Sequence, residues 1–186
     1  MTNESRASMV RSAAALIASR GVTATSLSDV LTHSGAPRGS IYHHFPDGKK
    51  QLTEEAIRWT SERVLAHQRA SGGGTPSEVL GSFIDLWRAV VRSSGGSSGC
   101  VVAGVAIDTI AGDAGLAEVI RATFASWVDL LREQLEAAGV PPGRAGAIAL
   151  ATLAGMEGAL ILCRAQGNGD PLDTVAEELM RLLPRN

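Results

Sequence analysis

The sequence predicts an all-α chain of about nine helices, and three observations carry that reading. No stretch alternates apolar and polar residues over strand length, and apolar residues recur at helical spacing from one end to the other. Gly, Pro and capping residues punctuate the chain at helix-length intervals. With 45% hydrophobic and 19% charged residues, the 186-residue chain has the balance of a globular protein rather than a disordered one.

A first helix over residues 5–20 places Val10, Ala13, Ala14 and Ile17 on one face and ends at Gly21, a residue suited to the left-handed closing position. Ser26 and Asp29 have the spacing of a capping box and open a short helix with Leu27, Val30 and Leu31 inward. Ser34-Gly35-Ala36-Pro37 stops it. A third, very short helix covers 38–45, and Pro46-Asp47-Gly48 turns the chain into a longer helix over 49–71 that holds Leu52, Ala56, Trp59 and Arg63.

Ser71-Gly72-Gly73-Gly74 reads as a linker. Thr75-Pro76-Ser77-Glu78 then supplies a cap, a first-turn proline and a capping-box glutamate. Val79, Leu80, Phe83, Ile84, Trp87, Val90 and Val91 form the stripe behind it. After a Ser/Gly-rich loop at 93–99 come a short apolar helix at 101–111 and a longer one at 116–138. The longer one turns Leu116, Ile120, Phe124, Trp127, Leu131 and Leu135 inward. Pro141-Pro142 begins an Ala/Gly-rich helix. Asp170-Pro171-Leu172-Asp173 caps the last, whose Leu172, Val175, Ala176, Leu179, Leu182 and Leu183 share one side.

The net charge of −2 conceals an asymmetry. Residues 1–50 hold six Lys/Arg against three acids, while the remainder holds 11 against 16. A basic head on an acidic body suits a polyanionic partner for the head, although random scatter gives a similar picture in so small a sample. Cys100 and Cys163 lack the spacing of a disulfide framework or a metal site, which points to buried thiols in a reducing compartment and no cofactor. No apolar signal segment follows the N-terminal residues, so the expected location is cytoplasmic. Residues 145–163 carry one charge, Glu157, and approach the length of a membrane span. Their Ala/Gly content and central Glu favour a buried packing helix, and no membrane partner is expected.

Two short helices around a tight Gly-containing turn make a helix-turn-helix, a weak signal alone. The detail from 21 to 52 is stronger: Thr25-Ser26-Leu27-Ser28-Asp29-Val30, Ser34-Gly35, Arg38-Gly39-Ser40-Ile41-Tyr42-His43-His44-Phe45, then Lys49 and Leu52. This run resembles the DNA-binding domain of the TetR family of repressors, and the block from Gly39 to Phe45 is specific to that family's recognition helix. The chain departs from the pattern at Leu31 and His33, where small residues are common, and at Pro37, where Ser is. One extra residue between Phe45 and Lys49 is similar to a subgroup that includes repressors of lincomycin-type drug resistance.

The resemblance implies a three-helix DNA-binding domain over 1–50 and a ligand-binding and dimerisation domain over 51–186. It also implies a function: a ligand-responsive regulator, a homodimeric repressor that a small apolar or aromatic effector releases from its operator. The N-terminal residues of a recognition helix meet base edges in the major groove, which suits Pro37, Arg38, Gly39 and Ser40, with Arg38 able to hold guanine at two acceptors. Tyr42, His43 and His44 offer donors to phosphate or base, while Ile41 and Phe45, four apart, serve the core. Thr25, Ser26 and Lys49 stand at helix N-termini, where phosphates bind. Neighbouring histidines point about 100° apart, so His43 and His44 are not read as a metal site. His33 and His67 stand outside any motif and are read as surface or interface residues.

The implied effector would sit among Trp59, Phe83, Trp87, Phe124, Trp127 and Met156, although any one such residue is more often plain core, with Asp108, Glu157 or Arg88 as polar groups nearby. Small residues on several faces of the Ala/Gly-rich helix let another helix approach closely. Ala147, Leu150, Ala151, Ala154, Gly158 and Ile161, with Val175, Leu179 and Leu182 of the last helix, would form the twofold dimer interface or, alternatively, intramolecular core. The implied partners are a palindromic double-stranded operator, the effector and a second copy of the chain. An enzyme is disfavoured: there is no nucleophile elbow, phosphate-cradling loop or Cys/His metal array. An activator, a DNA-binding protein without an effector and a helical interaction module are the alternatives to a repressor.

Overall fold

The computed structural model describes residues 2–71, 73–109 and 113–184, and the backbone alone at residues 2, 3, 38 and 109. Among the described residues there are nine α-helices and no strand. They are α1 (Thr2–Arg20), α2 (Leu27–Ser34), α3 (Ile41–His44), α4 (Gly48–Ala70), α5 (Pro76–Ser94), α6 (Val101–Thr109), α7 (Ala114–Ala137), α8 (Pro142–Gln166) and α9 (Asp170–Met180). The expected third helix divides in two. Arg38–Ser40 winds as a tighter 3-10 turn, closed by the Ser40 N–H donating to the Pro37 carbonyl at 3.0 Å, before α3 begins. Gly39 inside that turn is a poor helix former, which accounts for the tighter start.

Local signals set the starts of α2 and α5. Ser26 caps α2, with its Oγ accepting from the Asp29 N–H (3.1 Å) and the Asp29 carboxylate accepting from the Ser26 N–H (2.9 Å). Thr75 and Glu78 repeat that box on α5, with Pro76 at the first turn. The last helix differs from expectation: Gly169 is its N-cap, and no side chain caps it. Asp173 is drawn instead to Arg88 Nε at 2.6 Å, and the Asp170 N–H donates to Asn168 Oδ1 at 3.1 Å.

By contact the chain forms two compact units, residues 1–62 with 100–123, and residues 63–99 with 124–186. This division differs from a boundary at residue 50, because α4 runs unbroken past that point and α6 packs on α1. The first unit's core is built from Met9, Val10, Ala13 and Ile17 of α1, Val30 and Leu31 of α2, Ile41, Phe45, and Leu52, Ala56 and Ile57 of α4. Val102 and Val105 of α6 and Leu116 and Ile120 of α7 are buried in the same unit.

The second unit buries the predicted α5 stripe apart from half-buried Val90, together with Trp127, Leu131 and Leu135 of α7 and one face each of α8 and α9. The α8–α9 approach is close: a Cβ at Gly155 would lie 3.2 Å from Leu179 Cδ1 and 3.3 Å from Val175 Cγ1. Helix α8 is long and apolar enough to cross a membrane, but α5 and α9 pack on it within this unit.

The Ser26 hydroxyl and N–H, then Arg20 at 2.9 Å, hold the Asp29 carboxyl below the usual carboxylate range. A depressed carboxyl contributes stability that is fully present above the unfolded value of about 3.9 and lost as pH falls through the folded value. The melting temperature of Asp29→Asn should therefore lie below wild type at neutral pH, and the gap should close under acid below about pH 4. A gap that is unchanged in acid would contradict the assigned cap.

Candidate nucleic-acid interface

The segment from Pro37 to His44 owes its shape to what it buries. Gly35, at φ 69°, closes α2 in the left-handed region, where a side chain would be strained, and the chain leaves at the sharp angle a helix-turn-helix needs. The Ser8 hydroxyl donates to the Ser34 carbonyl at 3.3 Å and ties α1 to the end of α2. Ile41 and Phe45 are both buried. Tyr42 between them is 66% exposed, the opposite of a core aromatic. His43 is exposed and His44 half-buried, their rings edge to face at 5.2 Å.

Around Phe45 stands a set of polar contacts. The Arg6 guanidinium lies over the Phe45 ring at 5.4 Å and pairs with Glu55 Oε1 at 2.5 Å. Gln51 Nε2 donates to the same Glu55 oxygen at 3.0 Å, and its own Oε1 accepts from the Asp47 N–H at 3.3 Å. The chain of bonds thus runs from α1 across the ring to the turn that carries the extra residue before Lys49. Periodicity gives no hint of it, since Arg6 and Glu55 lie 49 positions apart.

Most of the residues singled out for DNA lie on one exposed run. Pro37, Gly39, Tyr42 and His43 are exposed, and Ser40 is half-buried with its Oγ donating to the Pro37 carbonyl at 2.7 Å. Of Arg38 the backbone is described and the side chain lies outside the described residues. A Cβ at Gly39 would meet nothing within 4 Å and φ is not positive there, so the fold does not itself require glycine at this position. Ser26 is exposed, although its hydroxyl already serves Asp29 at 2.7 Å. Lys49 is half-buried, with Nζ 3.4 Å from the Thr23 carbonyl.

Thr25 requires correction. It is 3% exposed, its Oγ1 donates to the Gly21 carbonyl at 2.8 Å and its N–H to the Val22 carbonyl at 3.1 Å. Both donors are used inside the fold, which leaves neither for a phosphate.

Two acids not foreseen for this part of the fold brace it from the α6 side. Asp108 Oδ2 accepts from the Thr23 N–H at 3.1 Å, and Asp113 pairs with Lys50 at 2.9 Å. That pairing raises the Lys50 pKa above its ordinary value and, with the Leu116 and Gly115 N–H groups, lowers that of Asp113. Asp108 is therefore engaged with the loop after α1 and not with the aromatic residues. His33 and His67 are exposed, their rings at hydrogen-bonding distance from Ser12 Oγ (3.0 Å) and the Ser82 carbonyl (3.2 Å).

The aromatic residues proposed around an effector separate between the units. Trp59 belongs to the first, and Phe83, Trp87, Phe124, Trp127 and Met156 to the second. There the ring centroids lie 6.3 Å apart for Phe83–Trp87, 6.1 Å for Trp87–Trp127 and 5.7 Å for Phe124–Trp127. A cavity of about 120 Å³ lies between α5 and the start of α9, lined by Arg88, Arg92 and Leu172, and one of about 10 Å³ lies in the head beside Ile17 and Lys49. Neither is lined by these aromatic residues, and Arg88 is bonded to Asp85 and Asp173.

On α8, Ala147, Leu150, Ala154, Gly158 and Ile161 are exposed and Ala151 is half-buried, so an apolar face of the second unit points to solvent. Leu150 is 60% and Ile161 56% exposed, and Leu162 and Leu182 are exposed as well. Val175 is half-buried and Leu179 buried, both against Gly155. Those two side chains contribute to α8–α9 packing within the chain.

Two substitutions separate what holds the head together from what faces outward. Arg6→Ala should lower stability by about 1 kcal/mol or less, since half-exposed ion pairs and cation–π contacts are individually small. Gly39→Ala should leave the stability within about 0.5 kcal/mol of wild type, as at other surface positions without a structural duty. Thermal denaturation measures both, and a large loss at Gly39 would mean that the turn needs glycine for its own sake.

Known proteins give the same picture. Residues 10–56 match the family described as bacterial regulatory proteins, tetR family. Residues 76–178 match the description transcriptional regulator LmrA/YxaF-like, C-terminal domain. An uncharacterized HTH-type transcriptional regulator of Mycobacterium tuberculosis is 42% identical over 185 residues, covering 96% of this chain and 93% of the relative. The HTH-type transcriptional repressor KstR2 of that species is 34% identical over 91 residues, 47% of this chain and 45% of its own length. In fold, the chain is similar to the crystal structure of a TetR family transcriptional regulator from Agrobacterium tumefaciens. That match has a TM-score of 0.88 and 23% identity and covers 100% of both chains. The chain belongs to the TetR family of bacterial transcription regulators, proteins that bind DNA and dimerise and are not enzymes, and it carries the family's LmrA/YxaF-like C-terminal domain.

Proposed function

We propose that the protein is a cytoplasmic, homodimeric repressor that binds a palindromic operator and leaves it when a small apolar or aromatic effector binds. The observation that carries the DNA side is the division of labour within one turn of helix: Ile41 and Phe45 buried, Tyr42 and His43 exposed beside a glycine for which the fold has no internal use. Such a surface can enter a groove, with Arg38, Gly39 and Ser40 leading and Tyr42, His43 and His44 following toward bases or phosphates. The N-terminus of α2 at Ser26 and that of α4 at Lys49 would add phosphate contacts. The repressor sense draws support from KstR2, a repressor by name.

The exposed apolar face of α8 supports pairing through that helix. A single soluble copy would leave Leu150, Ile161 and Leu162 in water, whereas a twofold axis beside α8 covers them with their own counterparts. Two heads on one dimer would meet two half-sites, hence the palindrome. For release, the effector must prefer a state in which the heads are misplaced. The Asp108–Thr23 and Lys50–Asp113 bonds would carry a movement of α6 or of the start of α7 to the head.

Two measurements test this reading. Fluorescence anisotropy with DNA from upstream of the chain's own gene should show binding that weakens steeply with salt. It should fall about tenfold or more in Tyr42→Ala and Arg38→Ala, with the salt slope reduced by about 0.9 for each phosphate contact removed. Equal affinity for random DNA would remove self-regulation from the proposal. Separately, Ile161→Glu should convert a dimer to a helical monomer by light scattering, since a charge cannot be buried unpaired in an apolar interface. A variant that stays dimeric would place the interface elsewhere.

A further inference from the structure

Among the described residues of the second unit, the buried polar atoms without a hydrogen-bond partner include Trp87 Nε1 and Thr152 Oγ1, with Gln68 Oε1 another. Trp87 is 3% exposed and Thr152 0%. Leaving a buried donor unmade is costly, and buried polar groups in native proteins are nearly always paired. Valine has the shape of threonine, so an apolar residue at 152 would fill the same space, and a hydroxyl kept there beside an unmade indole N–H points to a duty outside folding.

Their places in the bundle agree. Helices α5 and α8 pack together and end side by side, because a Cβ at Gly96, just past α5, would lie 3.2 Å from the Cys163 carbonyl and 3.2 Å from Asn168 N. The two helices therefore run in the same direction. Counting back at 1.5 Å per residue puts Trp87 roughly 13 Å from that junction, between Met156 at roughly 10 Å and Thr152 at roughly 16 Å. Trp87, Thr152 and Met156 thus occupy one level of the bundle, on its buried faces, with Phe83 and Trp127 against the Trp87 ring.

We infer that this level is where the effector is recognised, and that the effector is an uncharged aromatic compound whose oxygen acceptor takes the Trp87 N–H and engages the Thr152 hydroxyl. The inference rests on the reading of the chain as a ligand-responsive regulator. An indole N–H only donates, so its partner must bring an acceptor, whereas the threonine hydroxyl can also donate. A carbonyl oxygen with two lone pairs satisfies both. The surrounding rings favour a flat apolar body and disfavour a charge, which would shed its hydration among them.

The test uses the full-length protein and two probes, benzophenone and diphenylmethane, which share two phenyl rings and differ by the carbonyl oxygen. Binding is followed by tryptophan fluorescence quenching and by melting temperature. Benzophenone should bind about tenfold more tightly or better, the worth of a buried hydrogen bond. Trp87→Phe should bring the ratio close to one. Thr152→Val, which keeps the side chain's shape, should melt higher than wild type without ligand and lose affinity for benzophenone, so a poorly folded Trp87→Phe leaves the question decidable.

Equal binding of the two probes would overturn the acceptor recognition while leaving an apolar effector site in place. Failure of both to bind would overturn the proposed site. A benzophenone complex that keeps its full operator affinity would count against ligand-induced release and not against the Trp87 contact.

Discussion

Helix α3 has four residues, Ile41–His44, too few to hold together in water. Its conformation exists because Ile41 and Phe45 are buried on either side of it, and every outward-facing group from Pro37 to His44 inherits its place from that burial. The Phe45 ring is in turn clamped by Arg6, which Glu55 holds, and Gln51 extends the clamp to the turn at Asp47. Removing the two apolar anchors would take the exposed surface around Tyr42 and His43 with them. The surface is therefore a property of the core, presented outward.

The second unit meets a different constraint. Helix α8 is apolar on more faces than α5 and α9 can cover, and its small residues settle which neighbour comes closest. Gly155 admits Leu179 and Val175 to within 3.3 Å, fixing α9 on one side, while Leu150, Ile161 and Leu162 remain exposed on another. One helix thus carries two kinds of apolar face, an internal one built on a glycine and an exposed one built on larger aliphatic side chains. The capping boxes at Ser26 and Thr75 set the starts of α2 and α5.

Carboxylates and arginines bind elements that are remote in sequence. Asp108 and Asp113 reach the loop after α1 and the start of α4, and Arg88 joins α5 to α9 through Asp173. These pairs are partly exposed and contribute little stability one by one. Their value is positional, since each fixes an angle between helices that apolar contacts alone would leave loose. The unpaired Trp87 Nε1 and Thr152 Oγ1 are among the places where burial carries an uncompensated cost.

The sequence by itself determined the helical class, the approximate number of helices, both capping boxes, the alternation of buried Ile41 and Phe45 with exposed Tyr42, and the family. These are local properties: a cap, a period or a motif is complete within a few residues, so its physics is written in consecutive letters. Only the tertiary structure decided that Thr25 faces inward, that α9 starts at an uncapped Gly169, and that the first unit takes in residues 100–123. It alone decided that Arg6 serves Phe45 and Asp108 serves Thr23, and that the six presumed pocket residues divide between two units. Each of these depends on which distant side chain arrives first at a hydrogen-bond donor or an apolar face. Helical periodicity states which face is apolar but not what will cover it, and the partners here lie tens of residues away.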